Sequence, residues 1–225
     1  MQGLTYKRVS IFCGHYGSGK TNIAVNYALR MKADGIPTKI ADLDIVNPYF
    51  RTKDSAEELE AAGIPLISPA FANSNVDLPA LPQELYSLVQ RTDHHAVLDV
   101  GGDDRGAYAL GRYAPYILEE NDYDMFCVVN FFRPLTKTAE EAYAVMQEVS
   151  QAAGMPFTAI INNSNLGPHT TLADVAATER EVCRLSEMAA IPVRMTTVHR
   201  PLISADTDTP YFPIDLQKKY FDIVE

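Results

Sequence analysis

The sequence has 225 residues, 47% of them hydrophobic, with 19 Lys and Arg against 29 Asp and Glu for a formal net charge of −10. This length suits one sizeable core, so a single domain over residues 1–225 is expected, and the acidic balance argues against a large nucleic-acid footprint. Cys13, Cys127 and Cys183 form no C-x-x-C pair, which removes zinc and iron–sulfur spacing and suits a reducing, cytoplasmic compartment.

In chain order, the first strand predicted is RVSIFC, residues 8–13. It leads into a glycine-rich loop and then a helix with Ile23, Tyr27 and Met31 on one face and Gly35 past its end. No secretory leader is expected, because its removal would take away the strand beneath the loop. Further strands are predicted over 38–44, 64–68, 95–100, 125–131, 157–163 and 193–198. Most are near-continuous apolar runs, the mark of a parallel sheet buried on both faces. Residues 69–83, rich in Pro and Asn, read as an irregular excursion, either functional or a surface loop packed by Phe71 and Leu78. Thr138 with Glu141 forms a capping box before a helix that stops at Gly154. Thr171 with Asp174 forms another before a segment running to about Ala190.

The C-terminal stretch IDLQKKYFDIVE is expected to be a docking helix of the domain itself. Its half-acidic polar face does not suit a membrane surface, and no apolar run approaches the roughly 20 residues that span a bilayer. Alternating strands and helices predict an α/β fold, three-layered and doubly wound around a mostly parallel sheet with right-handed crossovers. Ligands then bind at the carboxyl ends of the strands.

Gly14-His15-Tyr16-Gly17-Ser18-Gly19-Lys20-Thr21 matches G-x-x-x-x-G-K-[ST] between a predicted strand and a predicted helix. Glycines let backbone N–H groups turn inward around a phosphate chain, and the helix adds its positive end. Lys20 is expected to reach the β- and γ-phosphates and the Thr21 hydroxyl to ligate Mg²⁺, with Asn22 completing the nucleotide-binding stretch. Asp42 and Asp44 end the second strand, and Asp99 ends the fourth. Asp99 reads as the acidic end of a Walker B strand that holds Mg²⁺ through water, against a plain capping or turn role. Gly101-Gly102 after it form a segment able to sense the γ-phosphate.

The combination GHYGSGKT, DLDIVNP and VLDVGG resembles the MinD/ParA/CobQ/CobB group of P-loop ATPases, in order over nearly the whole chain. The resemblance implies ATP as nucleotide and Mg²⁺ as metal, with Asp44 positioning the attacking water and Asp42 near the metal shell. It places adenine recognition at Asn162-Asn163 and in the loop after TTVHRP. An asparagine amide both donates to and accepts from an adenine edge, but NNSN is equally good turn chemistry. The guanine-reading N-K-x-D pattern is absent at strand ends, which favours ATP over GTP.

The group's signature lysine falls at His15 here, and Tyr16 replaces a glycine. That lysine reaches across an ATP-bound dimer to place fixed positive charge on the partner's phosphates. Histidine is shorter and mostly neutral at pH 7. Three roles stay open for His15: a weakened activator in trans, a backbone-defined loop residue, or a contact to another substrate.

The resemblance leads to a slowly hydrolysing switch that forms a homodimer with ATP, its moving parts at 44–54 and 101–106 and an aromatic interface at Asn47-Pro48-Tyr49-Phe50. A small-molecule enzyme activating a carboxylate, like cobyrinic acid a,c-diamide synthase or dethiobiotin synthetase, is the alternative and lacks the lysine too. A metal or cluster carrier would want paired cysteines. Neither nucleic acid nor membrane is expected as a partner, which leaves an unknown protein or small-molecule substrate.

Overall fold

The computed structural model describes residues 5–44, 52–68, 83–102, 104–203 and 211–217. Within them β1 (Val9–Cys13), β2 (Thr38–Leu43), β3 (Leu66–Ile67), β4 (His95–Val100), β5 (Tyr123–Val129), β6 (Ala159–Asn162), β7 (Val193–His199) and β8 (Phe212–Ile214) form one sheet. Its order is β3-β2-β4-β1-β5-β6-β7-β8, and every pairing is parallel. The seven predicted strands are present, shifted by at most two residues at most ends. The third is shorter than expected because only Leu66 and Ile67 pair with β2 at the sheet edge.

Helices cover both faces: α1 (Lys20–Ala33), α2 (Ala56–Ala61), α3 (Gln83–Gln90), α4 (Asp104–Gly111), α5 (Ala114–Glu120), α6 (Ala139–Ala153), α7 (Leu172–Ala177) and α8 (Glu179–Ala189). One core packs α3, α4, α5, α6 and α8 against one side of the sheet. The other packs α1 and α2 with Phe12, Phe126 and Phe212 on the opposite side. Ile23, Tyr27 and Met31 are fully buried on the predicted face of α1. Each contributes on the order of 1.5–3 kcal/mol, enough to hold the helix behind the loop firmly on the sheet. Because β1 sits between β4 and β5, the chain departs in opposite directions around it, and a crevice opens at its carboxyl end.

Local chemistry modifies three expectations. At α6, the Thr138 hydroxyl accepts from the Glu141 N–H at 3.3 Å, but the Glu141 carboxylate accepts from Lys137 N at 2.7 Å, so the box closes one residue early. The Thr171–Asp174 box forms in both directions. The helix it starts does not run on to Ala190 but breaks at Thr178, whose hydroxyl donates to the Val175 carbonyl at 2.7 Å and accepts from the Asn162 amide at 3.0 Å.

The expected C-terminal helix does not start at Ile214. Phe212 and Ile214 alternate as buried residues of β8, and Asn26 of α1 then pairs with both backbone groups of Asp215, at 2.8 and 2.9 Å. Those groups are thereby taken from any helical ladder. Residues 218–225, the predicted aromatic interface at 47–50 and all of the excursion expected over 69–83 but its last residue, where α3 begins, lie outside the described residues. Among the described residues no helix is long and apolar enough to cross a membrane.

Candidate functional site

The crevice beyond β1 is floored by the glycine-rich loop. Gly14 has φ +148°, and a Cβ there would run into the Val128 carbonyl of β5. The chain therefore leaves β1 tight against its neighbour, a path open only to glycine. Ser18 N donates to the His15 carbonyl at 3.1 Å, and Ile23 N donates to the Gly19 carbonyl at 3.1 Å as α1 begins. No acidic side chain occupies the first turn of α1, so nothing there offsets the positive end of the helix. Lys20 is 6% exposed and its Nζ donates to the His15 carbonyl at 3.2 Å. The lysine lies along the concave side of its own loop, where an anion would take it up.

Three carboxylates gather at the ends of β2 and β4. Asp42 and Asp99 are direct register partners and are both buried. The Asp42 carboxylate accepts from the Asp44 N–H at 2.9 Å, and Asp44 lies against Gly101. Asp99 Oδ2 accepts from the Thr52 hydroxyl at 2.8 Å, while its Oδ1 has no hydrogen-bond partner. Burial pushes the Asp99 carboxyl well up, and the Asp42 charge pushes it further. Thr21, Lys20 and Thr52 partly offset this. Beyond β4, a Cβ at Gly102 would lie 2.8 Å from both Lys20 Nζ and Tyr16 N. The backbone after Asp99 is thus pressed onto the phosphate loop.

An orphaned buried carboxylate oxygen, a second acid beside it and the neighbouring Thr21 hydroxyl make a hard, oxygen-only donor set. That is what Mg²⁺ takes, completing its shell with water and phosphate rather than a full protein cage. Among the described residues no cluster of three His, Cys, Asp or Glu forms a complete metal site.

The paired asparagines are spent inside the protein. The Asn162 amide donates to Thr178 Oγ1 at 3.0 Å, and its Oδ1 accepts from Ser164 N and Oγ at 3.2 and 2.7 Å. Asn163 donates to the Ser18 carbonyl at 2.7 Å and accepts from the Thr197 hydroxyl at 2.5 Å. A Cβ on Gly19, where φ is +86°, would strike the Asn163 amide. Asn162 holds Ser164 in a tight turn, whereas Asn163 ties β6 and β7 to the back of the phosphate loop through partners distant in sequence. Asn22 likewise accepts from Gln217 N at 3.0 Å, on the side of α1 that carries the C-terminal segment.

Around the rim, Tyr16 is 57% exposed. His15 is half-buried and donates through Nδ1 to the Tyr16 carbonyl at 3.0 Å. A narrow crevice past Asn163 is lined by Asn165, Gly167, Thr170, Thr197, Val198 and His199. Two contacts of this site were not singled out from the sequence. Thr52 lies within the segment 44–54 read as a moving part, without a contact of its own assigned. Arg133 donates from Nε to the Gly17 carbonyl at 3.1 Å; a lone cation just after a strand next to β1 was its only signal.

Neither a protein-family model nor a curated protein matches the sequence. Solved structures do match the fold. The signal recognition particle receptor FtsY from Elizabethkingia anophelis in complex with GDP superposes with a TM-score of 0.55 and 18% identity, covering 88% of this chain and 60% of that one. Cell division protein FtsY from Thermotoga maritima gives 0.60 and 15%, covering 88% and 63%. Signal recognition particle 54 kDa protein from Aeropyrum pernix K1 in complex with GDP gives 0.57 and 15%, covering 87% and 42%. This chain thus spans less than two thirds of the length of each of these three. At such identities the likeness is one of fold: an α/β P-loop architecture.

Proposed function

We propose that this chain is a Mg-ATP-binding P-loop ATPase of the MinD/ParA/CobQ/CobB kind, a nucleotide-dependent switch that pairs with a second copy when ATP is bound and hydrolyses it slowly. The observation that carries this reading is the convergence at the carboxyl ends of β1, β2 and β4. Lys20 lies inside a glycine loop at a helix N-terminus, across from the buried Asp42–Asp99 pair with its orphaned oxygen. The phosphates occupy the loop and draw Lys20 Nζ from the His15 carbonyl. Thr21, Asp42 and Asp99 would hold Mg²⁺, which would supply charge neutralisation on the phosphate oxygens. Asp44, next to Gly101, orients the attacking water.

The base is placed at the carboxyl ends of β6 and β7, past Asn163, where the crevice must widen to admit a purine. Adenine is the proposed base because the guanine-reading N-K-x-D pattern is absent from the sequence, although two of the similar structures hold GDP. Free cysteines and an acidic surface suit a cytoplasmic protein.

Calorimetric titration with Mg-ATP and Mg-GTP, followed by light scattering with a non-hydrolysable Mg-ATP analogue, tests this. The expected result is ATP preference, loss of binding in Lys20→Ala, and a doubled mass with the analogue alone. Retained micromolar binding by Lys20→Ala would sink the site assignment.

A second reading is favoured by His15, whose Nδ1 is turned into its own loop rather than standing as a long cation for a partner. In that reading the chain activates a small carboxylate with ATP, and its mass does not respond to nucleotide.

A further inference from the structure

The turn after β5 is built with more care than a connection needs. Asn130, 1% exposed, accepts through Oδ1 from Phe132 N at 3.0 Å and Asn165 N at 3.3 Å, and donates through Nδ2 to the Asn165 carbonyl at 3.1 Å. Its own carbonyl accepts from Arg133 N at 3.1 Å and from the Thr136 hydroxyl at 2.8 Å. Phe131 N donates to Ser164 Oγ at 3.0 Å. Leu135 takes φ +67°, a left-handed conformation that is strained for a leucine. Buried, satisfied polar groups thus hold a strained turn in one shape, and what that shape presents to the phosphate loop is Arg133.

The Arg133 Nε bond to the Gly17 carbonyl is matched by packing. A Cβ at Gly17 would sit 3.7 Å from Arg133 Cδ and Nε, in ordinary contact, but Gly17 has φ +79°, where a side chain is strained. The guanidinium is exposed and forms no ion pair among the described residues. Its two terminal nitrogens likewise bond to no described residue. A guanidinium carries five N–H donors in a fixed fork suited to phosphate, and one of them is engaged here. In the loop itself the fixed cation is Lys20, because position 15 is histidine.

We propose that Arg133 contacts the phosphate chain of the bound nucleotide in cis, its Nε gripping the Gly17 carbonyl while its terminal nitrogens meet phosphate oxygens. This rests on the reading of the loop as a nucleotide site. It supplies from the same chain a fixed positive charge to a loop that carries His15 in place of a second lysine, and it makes the fixed turn 130–136 a part of the site.

The test is calorimetric titration of the full chain with Mg-ATP and with Mg-ADP, for the unaltered protein, Lys20→Ala, Arg133→Gln and Arg133→Lys, at about 0.05 M and about 0.5 M salt. Arg133→Gln is expected to weaken Mg-ATP about tenfold and Mg-ADP less, with Arg133→Lys, which keeps the charge but not the fork, recovering only part of the loss. The penalty shrinks at high salt, as a partly exposed charge requires. Equal, salt-independent losses in Gln and Lys variants overturn the proposal, because they mean that the side chain only braces the loop. No loss in either overturns it as well. If Lys20→Ala abolishes binding while Arg133→Gln is silent, this inference alone falls. If the unaltered protein binds neither nucleotide, the nucleotide-site reading falls with it.

Discussion

Asp42 and Asp99 are register partners on adjacent parallel strands, so two buried carboxylates share one small volume at the mouth of the crevice. Burial and the Asp42 charge disfavour an ionised Asp99, and Thr21, Lys20 and Thr52 offset this only in part. The fold therefore holds an electrostatic cost in reserve, to be relieved when the site is filled.

That cost has a pH signature. In the unfolded chain Asp99 ionises near the ordinary carboxylate value of about 3.9, while burial and Asp42 raise it in the folded protein. Between those two values the folded state binds more protons, so its stability falls as pH rises through the window. With divalent ions chelated, Asp99→Asn removes this slope. At neutral pH the variant should be more stable than the unaltered protein by about 1 kcal/mol or more, a rise in Tm of about 2–4 °C. Melting curves in chelator from about pH 4 to about pH 8 check this, and parallel slopes for the two proteins would reject it.

Asn163 braces the phosphate loop through Ser18 and is itself held by Thr197. Asn163→Ala strands both buried partners and should cost about 1–3 kcal/mol of stability. It should also weaken nucleotide binding, because the loop loses its rear support. Denaturant melts and nucleotide titration read the two effects separately. A variant with unchanged stability would mean that the brace is idle.

The proposed function gives Asp44 the attacking water to orient and leaves the role of His15 open. Asp44→Ala should keep ATP affinity within a few-fold and slow turnover by about 10²-fold or more, as loss of a general base or water-orienting group does. Unchanged turnover would reject the role. If His15 is a weakened activator in trans, His15→Lys should speed hydrolysis at neutral pH. If the Nδ1 bond to Tyr16 is its whole role, the rate stays as it was. Phosphate release assays decide both.

The cysteines probe the sheet itself. Cys13 and Cys127 are register partners on β1 and β5, fully buried, and burial pushes the Cys127 thiol up to about 12 and the Cys13 thiol up as well. Cys183 is exposed. A thiol reagent at about pH 8 should label Cys183 promptly and the other two only on unfolding, because reactivity follows thiolate population and access. Prompt labelling of all three would contradict the register.

What was legible in the sequence and what was not divide along a physical line. Buried parallel strands announce themselves as apolar runs, and a phosphate loop must put its glycines, lysine and threonine at fixed local spacing. Both kinds of signal lie within a short window. β8 gave no such signal, since Phe212-Pro213-Ile214 is too short to show a period and gains its stability from Tyr27, some 185 residues earlier, across a ring separation of 6.4 Å. The break at Thr178 depends on a hydrogen bond from Asn162, and the duty of Asn163 depends on Ser18. Thr52 and Arg133 act only through residues distant in sequence, 47 and 116 positions away. Spacing rules read neighbours along the chain, while these residues are defined by neighbours across the sheet.

The clasp between α1 and residues 215–217 bears on the order in which a newly made chain matures. Asn22 and Asn26 sit on α1, just after β1 and its loop, but their partners lie 195 and 189 residues downstream. Gln217 also donates to Ser55 at 2.9 Å, so one late residue fastens two early ones. While synthesis proceeds, at roughly 5–20 residues per second, the helix behind the phosphate loop waits many seconds with those amides facing water. The helix behind the glycine loop is thus clasped only after residues 215–217 have emerged.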